Sequence, residues 1–183
     1  MEANPNKLNI NAPKGNIVIL DGENIFNGSY NTSRIREKVL RPNYDLLVER
    51  YALNRHDTVH FFSPNKFIHE DNIEKLRSYF KILSFLGGKG IHIHLNPTGK
   101  YGDNQRTDYA IGEFLRLIIK TKFVERIILA SDDGGYYSDV CYALDVGIEV
   151  VVLEINTASF VWNEDKRIKI EKFPLYEKTS FGS

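Results

Sequence analysis

Short apolar runs recur along this chain and alternate with longer segments that mix apolar and polar residues. The first run, Ile17-Val-Ile-Leu20, is uninterrupted, which is typical of a central strand covered on both faces. Later runs are either similarly apolar or alternate with a period of two. The pattern predicts five strands, at residues 16–21, 58–62, 91–95, 126–130 and 148–153.

Between the predicted strands, apolar residues recur every three or four positions, as they do on one face of a helix. This spacing predicts helices that begin at Pro42 and at Asp71, and further helices at residues 106–120 and 136–145. Residues 24–41 are polar, so we expect an irregular segment there, with at most a short helix near residues 34–38. One more strand is expected near residues 167–172.

Strands that alternate with helices predict an α/β fold, with a mainly parallel five-stranded sheet between two layers of helices. We expect one domain at residues 16–156, preceded by a flexible lead-in at residues 1–15. Residues 157–183 are expected to form a C-terminal extension that packs on or beside the domain. If Trp162 and its aromatic neighbours are exposed, they indicate a homodimer or partner contact; if buried, they complete the core.

Composition narrows the functions only a little. The 183 residues include 24 basic and 24 acidic side chains, so no net positive charge attracts nucleic acid. An enzyme with a local basic rim is still compatible with that balance. The single cysteine, Cys141, excludes an internal disulfide, and no apolar stretch has the length of a membrane span or the features of a signal peptide. We therefore expect a cytoplasmic protein with no membrane partner.

Three aspartates fall at what should be one edge of the sheet. Asp21 follows the first strand, Asp108 begins the helix after the third, and Asp133 follows the fourth. Because the carboxyl ends of parallel strands point the same way, these side chains should converge. Clustered carboxylates repel unless a cation compensates, and hard oxygen ligands suit Mg²⁺ or Mn²⁺. The alternative is that each aspartate is only a helix cap or a turn residue.

Other side chains near these acids are candidates for the same site. Asp132 and Asp139 are predicted as additional metal ligands, and Arg106 and Lys100 as a basic rim that binds substrate phosphate. His92 and His94 share a face of one strand, but with no third ligand evident they are expected to be solvated or packed at an edge. Three tyrosines flank the acids and are candidates to stack on unpaired bases: Tyr101, Tyr136 and Tyr137.

Three motifs resemble those of the NYN domain, a PIN-like nuclease fold that includes the LabA-like proteins and, more distantly, the Regnase-type ribonucleases. IVILDGENIF at residues 17–26 resembles the family's opening strand with its D-G-x-N motif. QRTDYAI at residues 105–111 resembles the K-G-x-D segment that precedes the central helix. LASDDGGYYSDVCYALDVG at residues 129–147 resembles the S-G-D-x-D-F motif at a strand end.

The resemblance implies a PIN-like sheet and a metal-dependent endoribonuclease that hydrolyses RNA, with single-stranded RNA as the favoured substrate. Carried over by position, Asp21, Asp108 and Asp133 would be the catalytic acids and would hold Mg²⁺ or Mn²⁺. Asn24 would orient Asp21 or contact substrate phosphate, and Ser131 would steady the loop after the fourth strand.

The chain also departs from the family pattern. Gly135 stands where the family has its second aspartate, and Gln105 stands where it has a lysine. A non-catalytic PIN-like module that binds RNA or a protein, with a degenerate active site, is therefore the alternative function. A phosphohydrolase or phosphotransferase acting on small molecules ranks third. The haloacid-dehalogenase type of such enzymes has a D-x-D motif directly after the first strand. Here Glu23 stands at the position of the second aspartate, which is an imperfect match.

Overall fold

The computed structural model describes residues 14–36, 39–66, 71–97, 105–157 and 159–177. Within those ranges the strands are, in chain order, β1 (Gly15–Asp21), β2 (Leu40–Pro42), β3 (Thr58–Pro64), β4 (His92–Asn96), β5 (Val124–Ala130), β6 (Glu149–Glu154), β7 (Lys169–Lys172) and β8 (Leu175–Glu177). The helices are α1 (Gly22–Arg36), α2 (Tyr44–Tyr51), α3 (Ile73–Gly88), α4 (Gln105–Thr121) and α5 (Tyr137–Asp145). Short 3-10 turns occur at Gly134–Tyr136 and Phe160–Asn163.

The main sheet has six parallel strands in the order β4-β3-β1-β5-β6-β7. Strand β1 lies in its interior, where Ile19 pairs with His60 of β3 and Leu129 of β5. Strands β2 and β8 form a separate antiparallel pair. The predicted α/β class and the mainly parallel sheet are confirmed, while the predicted number of five strands is one too few.

Helices cover both faces of the sheet, which gives the predicted three layers. One face packs against α1, α2 and α3 through a core that includes Leu20, Leu47 and Leu86. The other packs against α4 and α5 and includes Ile19 and Leu115. Alternate residues of β1 thus face opposite layers, as expected for a strand buried on both sides.

Helix α1 corrects the expectation of an irregular segment after the first strand. Besides Ile25, its buried positions include the small or polar residues Gly28, Ser29 and Thr32, so the apolar period that predicts a helix is weak. A side chain at Gly28 would meet Ile155 at 2.6 Å, so the glycine lets α1 approach the chain just beyond β6. The Thr32 hydroxyl donates to the carbonyl of Ile155 at 3.4 Å. Close approach and polar contacts hold this helix in addition to the apolar contacts of Ile25 and Phe26 with the core.

The sixth strand comes from the C-terminal extension, where a strand near residues 167–172 is expected from the sequence. Strand β7 pairs with β6, and Lys169 and Lys172 form ion pairs with Glu149 and Glu154 of that strand. Trp162 is completely buried. Trp162 and strand β7 therefore complete the core and the sheet, the second of the two outcomes considered, whereas the neighbouring Phe160 is 75% exposed.

The helix that is predicted to begin at Pro42 begins at Tyr44. The reason is that Pro42 pairs with Leu175 in a strand and the Asn43 side chain caps the helix. Among the described residues, no helix has both the length and the apolar character needed to cross a membrane.

Candidate active site

A cleft of about 210 Å³ opens at the carboxyl edge of the sheet, where β1 and β5 end and α1 and α4 begin. Its lining brings together the three aspartates predicted from the strand ends. It also includes three residues of the first turns of α1. The lining consists of Asp21, Glu23, Asn24, Asn27, Asp108 and Asp133.

Asp21 is the most deeply buried of these acids, with 3% of its surface exposed. Its Oδ1 accepts the backbone N–H of Asn24 at 3.1 Å, the bond that an N-cap residue makes, so Asp21 also starts helix α1. The Asn24 side chain approaches Oδ2 at 3.4 Å. Position 22, between Asp21 and Asn24 in sequence, requires glycine, because a Cβ there would lie 2.5 Å from the Phe61 ring. The D-G-x-N segment thus combines a helix cap with a close turn.

Ser131 links Asp21 to the loop after β5. The Ser131 hydroxyl is completely buried, donates to Oδ2 of Asp21 at 3.1 Å and accepts the backbone N–H of Asp133 at the same distance. Oδ1 of Asp133 accepts the backbone N–H of Gly135 at 2.9 Å, which caps the 3-10 turn. Asp133 itself is exposed, so it lines the cleft from the solvent side.

Tyr136 has a different place from the one predicted for it. Instead of offering its ring to bases, it is buried, with 3% of its surface exposed. Its hydroxyl lies 3.1 Å from Oδ1 of Asp108 and 3.5 Å from Oδ2 of Asp21. A single phenol therefore bridges the two carboxylates beneath the cleft. Tyr137 packs against Trp162 with 6.0 Å between ring centroids, and Tyr101 lies outside the described residues.

Asp132 does not line the cleft with the other acids. Its two carboxylate oxygens accept the backbone N–H groups of Ile155 and Asn156 at 2.8 and 2.9 Å. Its own N–H donates to Oδ1 of Asn24 at 3.1 Å. The prediction of Asp132 as a metal ligand is corrected, because this carboxylate ties the loop after β5 to the chain beyond β6.

Asp139 is likewise turned away from the cleft. Its carboxylate accepts two hydrogen bonds from Arg116 of α4, at 2.9 and 3.1 Å. Arg116 also contacts Glu113 at 2.6 Å, so the three side chains form an ion-pair network between α4 and α5. Asp139 and Glu113 are thus engaged in helix packing, and the prediction of Asp139 as a metal ligand is corrected for that reason.

Glu23 and Asn27 are cleft residues that the pattern of strand-end acids does not reveal. They lie on one face of α1 at a spacing of four, which is visible only once α1 is known to be a helix. The Oε2 atom of Glu23 is buried and has no hydrogen-bond partner among the described residues. Burying an acceptor without a hydrogen-bond partner costs free energy. A ligand that contacts this oxygen would therefore stabilise the folded protein.

Burial and mutual repulsion weaken the acidity of the cleft carboxyl groups. Burial raises the pKa of Asp21 to about 6, with the neighbouring Asp108 acting in the same direction. Burial is also the main cause that raises the pKa of Glu23, with Asp21 and Asp108 adding to it and Lys66 opposing it. The pKa of Asp108 is raised by burial and by Asp133, against the hydrogen bond from Tyr136. These groups share negative charge that a bound cation would relieve.

The structure does not place Arg106, which is predicted to contact phosphate, in the lining of the cleft. Arg106 is exposed in the first turn of α4, two residues before Asp108, and is not among the residues that line the cleft. Lys100 lies outside the described residues. Lys66, which follows β3 and acts electrostatically on Glu23, is a cation that the sequence pattern does not single out.

The histidines of β4 belong to a cluster whose third member, His60 of β3, is not among the predicted residues. His60 Nδ1 lies 3.0 Å from His94 Nε2, and its ring stacks on that of His92 with 4.9 Å between centroids. Phe114 of α4 packs against His60 at 4.6 Å. The cluster forms an aromatic edge of the sheet, so the expectation of edge-packed histidines fits it.

The arrangement of donors in the cleft bears on metal binding. Within the described ranges, no three His, Cys, Asp or Glu side chains are arranged as a preformed metal centre. The chemistry of the cleft still suits a hard cation, because the side chains that line it offer oxygen donors and the buried Oε2 of Glu23 is unpaired within those ranges. The residues that would hold a divalent ion are therefore Asp21, Glu23, Asp108 and Asp133.

Comparison with known proteins supports the fold. The chain is similar in structure to the crystal structure of a protein of unknown function from Vibrio parahaemolyticus, with a TM-score of 0.57 and 19% sequence identity. The likeness covers 86% of this chain and 93% of the other. No family model and no curated protein sequence matches the chain. At this identity the likeness establishes a shared fold.

Proposed function

We propose that this protein is a divalent-metal-dependent endoribonuclease of NYN or PIN-like type, with Mg²⁺ or Mn²⁺ as cofactor and single-stranded RNA as substrate. The observation that carries the proposal is the convergence of Asp21, Asp108 and Asp133 in one cleft with Glu23, whose buried Oε2 has no partner in the described part of the chain. The single cysteine favours a cytoplasmic location for the activity.

The chain's own groups have distinct roles in this proposal. Asp21, Asp108, Asp133 and Glu23 would bind the ion, which supplies charge neutralisation at the phosphodiester and an acidified water. Ser131 and Asn24 fix the orientation of Asp21 through bonds to its carboxylate.

The direct test is cleavage of a fluorescently labelled single-stranded RNA in Mn²⁺, in Mg²⁺ and in EDTA. Wild type should cut with either ion and not in EDTA, while Asp21→Asn should not cut under any condition. Asp139→Asn is the matched control, because its carboxylate pairs with Arg116 outside the cleft. Equal cleavage by wild type and Asp21→Asn would exclude the proposed site.

The second candidate is a non-catalytic module that binds RNA. The observation in its favour is that Gly135 brings no acid to the cleft, while Asp139, which could have replaced it, is held by Arg116. Wild type that is folded and binds the labelled RNA, yet does not cut it with either ion, would favour this function.

A further inference from the structure

We propose that three exposed aromatic side chains around the acidic cleft, Tyr30, Tyr109 and Phe160, form a platform that stacks on unpaired bases of single-stranded RNA. We call these residues the aromatic rim. The inference rests on the proposed function, since it defines how the same site holds its substrate. The rim residues are 69%, 68% and 75% exposed, against 61% for Phe80, the next most exposed aromatic side chain of the described residues.

Tyr109 adjoins the cleft through α4. It directly follows Asp108, which lines the cleft and accepts the Tyr136 hydroxyl. Asp108 is half-buried, while Tyr109 points to solvent on the neighbouring face of the same helical turn. A base stacked on Tyr109 would therefore lie one residue from a proposed metal ligand.

Tyr30 adjoins the cleft through α1. It is three residues beyond Asn27, which lines the cleft, and residues at this spacing share a helix face about 4.5 Å apart along the axis. Helix α1 stays near this edge of the sheet as far as Thr32, because Gly28 lies against Ile155 and Thr32 bonds to its carbonyl, just beyond the carboxyl end of β6. The exposed face of α1 thus continues the edge on which the cleft opens.

Phe160 adjoins the cleft through the turn that follows β6. The preceding residue, Ser159, donates its backbone N–H to the carbonyl of Asp132 at 2.9 Å. The Ser159 side chain also lies against Gly134, where an added Cβ would meet its hydroxyl at 2.6 Å. Asp133, between these two contact points, lines the cleft, so Phe160 is anchored beside it.

The polar neighbours of the rim favour a nucleic acid over a protein partner. An exposed arginine stands one helical turn from each tyrosine: Arg34 is four residues after Tyr30, and Arg106 is three residues before Tyr109. An aromatic ring beside a guanidinium offers stacking for a base and a contact for its phosphate. The three rings are set on three separate elements: α1, α4 and the 3-10 turn at Phe160–Asn163.

The balanced charge of the chain favours base stacking over phosphate contacts as the main source of RNA affinity. With 24 basic and 24 acidic residues, the chain lacks the positive field that draws most nucleic-acid binders to phosphate. Stacking requires no such field and tolerates every base, since each base has a π face. Affinity should therefore depend on the bases of the RNA more than on its phosphates.

The experiment measures binding by fluorescence anisotropy in EDTA, which prevents cleavage and leaves the rim unaltered. The probes are a fluorescein-labelled twelve-nucleotide oligouridylate and an abasic oligomer of the same length. Wild type should bind the oligouridylate more tightly than the abasic oligomer. The variants Tyr30→Leu, Tyr109→Leu and Phe160→Leu should each raise the Kd for the oligouridylate by about 5-fold or more and leave the abasic Kd unchanged. Phe80→Leu on α3 is the matched control and should change neither Kd.

The outcomes separate this proposal from the nuclease proposal. Loss of base-dependent binding in the rim variants supports the rim whether or not wild type cleaves RNA with metal. Unchanged oligouridylate binding in all three variants would overturn the rim even if Asp21-dependent cleavage is found. Self-association of wild type that the rim variants abolish, with RNA binding unchanged, would assign these rings to a protein contact and would also overturn it.

Discussion

The Tyr136 hydroxyl lies 3.1 Å from Oδ1 of Asp108, and the same hydroxyl is within 3.5 Å of Asp21. Tyr136 belongs to the loop after β5, Asp108 to α4 and Asp21 to the end of β1, so one phenol joins three elements that are distant in sequence. The motif that this segment resembles has phenylalanine at the position of Tyr136. The hydroxyl is therefore a feature of this chain that lies between two adjacent carboxylates and favours the ionised form of Asp108.

Replacing Tyr136 by phenylalanine should raise the pKa of Asp108, because the hydrogen bond from the hydroxyl favours the ionised form. The free energy of unfolding should fall by about 1–2 kcal/mol, since a buried hydrogen bond to a charged group is lost. Carboxyl ¹³C NMR titration and urea unfolding measure the two effects. Tyr137→Phe, the neighbouring tyrosine outside the acid pair, is the control. An unchanged titration of Asp108 in Tyr136→Phe would contradict the bridge.

Asp21 should make the free energy of unfolding fall as pH rises. Its folded pKa of about 6 exceeds the unfolded value of 3.8, so between these pH values the folded state holds the proton that the unfolded state has lost. In EDTA, Asp21→Asn should therefore gain about 2 to 3 kcal/mol relative to wild type between pH 4 and pH 7. Urea unfolding at both pH values tests this. If the two proteins differ in free energy of unfolding by the same amount at both pH values, ionisation of Asp21 does not destabilise the folded state.

The histidine cluster should have the opposite pH dependence. Burial, with His92 and His94, lowers the pKa of His60 to about 4, below its ordinary value of 6.5. The unfolded state then binds the proton first, so stability is lost as pH falls from 6.5 towards 4. Between pH 7.5 and pH 5, wild type should lose about 1 kcal/mol more than His60→Phe, after allowance for partial exposure. Parallel losses in the two proteins would mean that His60 does not titrate as the structure indicates.

Gly135→Asp tests whether the missing acid of the resembled motif can be restored. An added Cβ at Gly135 meets nothing closer than the Asp133 carboxylate, at 3.4 Å, so a side chain fits. The new carboxylate should repel Asp133 in EDTA and lower stability, but should strengthen Mn²⁺ binding by about 10-fold as the charge of the donor set increases. Gly135→Asn has the same shape without the charge. Mn²⁺ affinity that is equal in the two variants would place residue 135 outside the ion's reach.

Much of the fold follows from the hydrophobic pattern, and the reason is local. Strands such as β1 and β5 are buried on both faces, so their runs of branched apolar residues mark them directly. Helix α1 is not predicted because, besides Ile25, its buried positions include the small or polar residues Gly28 and Thr32, which leave only a weak apolar period. The sixth strand is predictable as an element, but its place in the sheet depends on ion pairs that only the fold brings together.

The acids that follow strands can be predicted as site residues, because the carboxyl ends of parallel strands converge at one edge of the sheet. Asp21 and Asp133 follow apolar runs, so topology alone brings them to one edge. The roles of adjacent acids are not predictable, because Asp132 and Asp133 differ only in the direction of their side chains. Glu23 escapes prediction for the same reason as α1, since its cleft position depends on a helix that the pattern does not reveal.

The most direct test of the account is whether the cleft holds one divalent ion. Free Mn²⁺ can be followed by electron paramagnetic resonance while wild type, Asp21→Asn, Glu23→Gln and Asp139→Asn are titrated at pH 7.5. Wild type and Asp139→Asn should bind one Mn²⁺ with the same affinity, and the two cleft variants at least about 10-fold more weakly. Folded wild type that binds no Mn²⁺, or cleft variants that bind it as well as wild type, would contradict the assignment of this cleft as a metal-dependent active site.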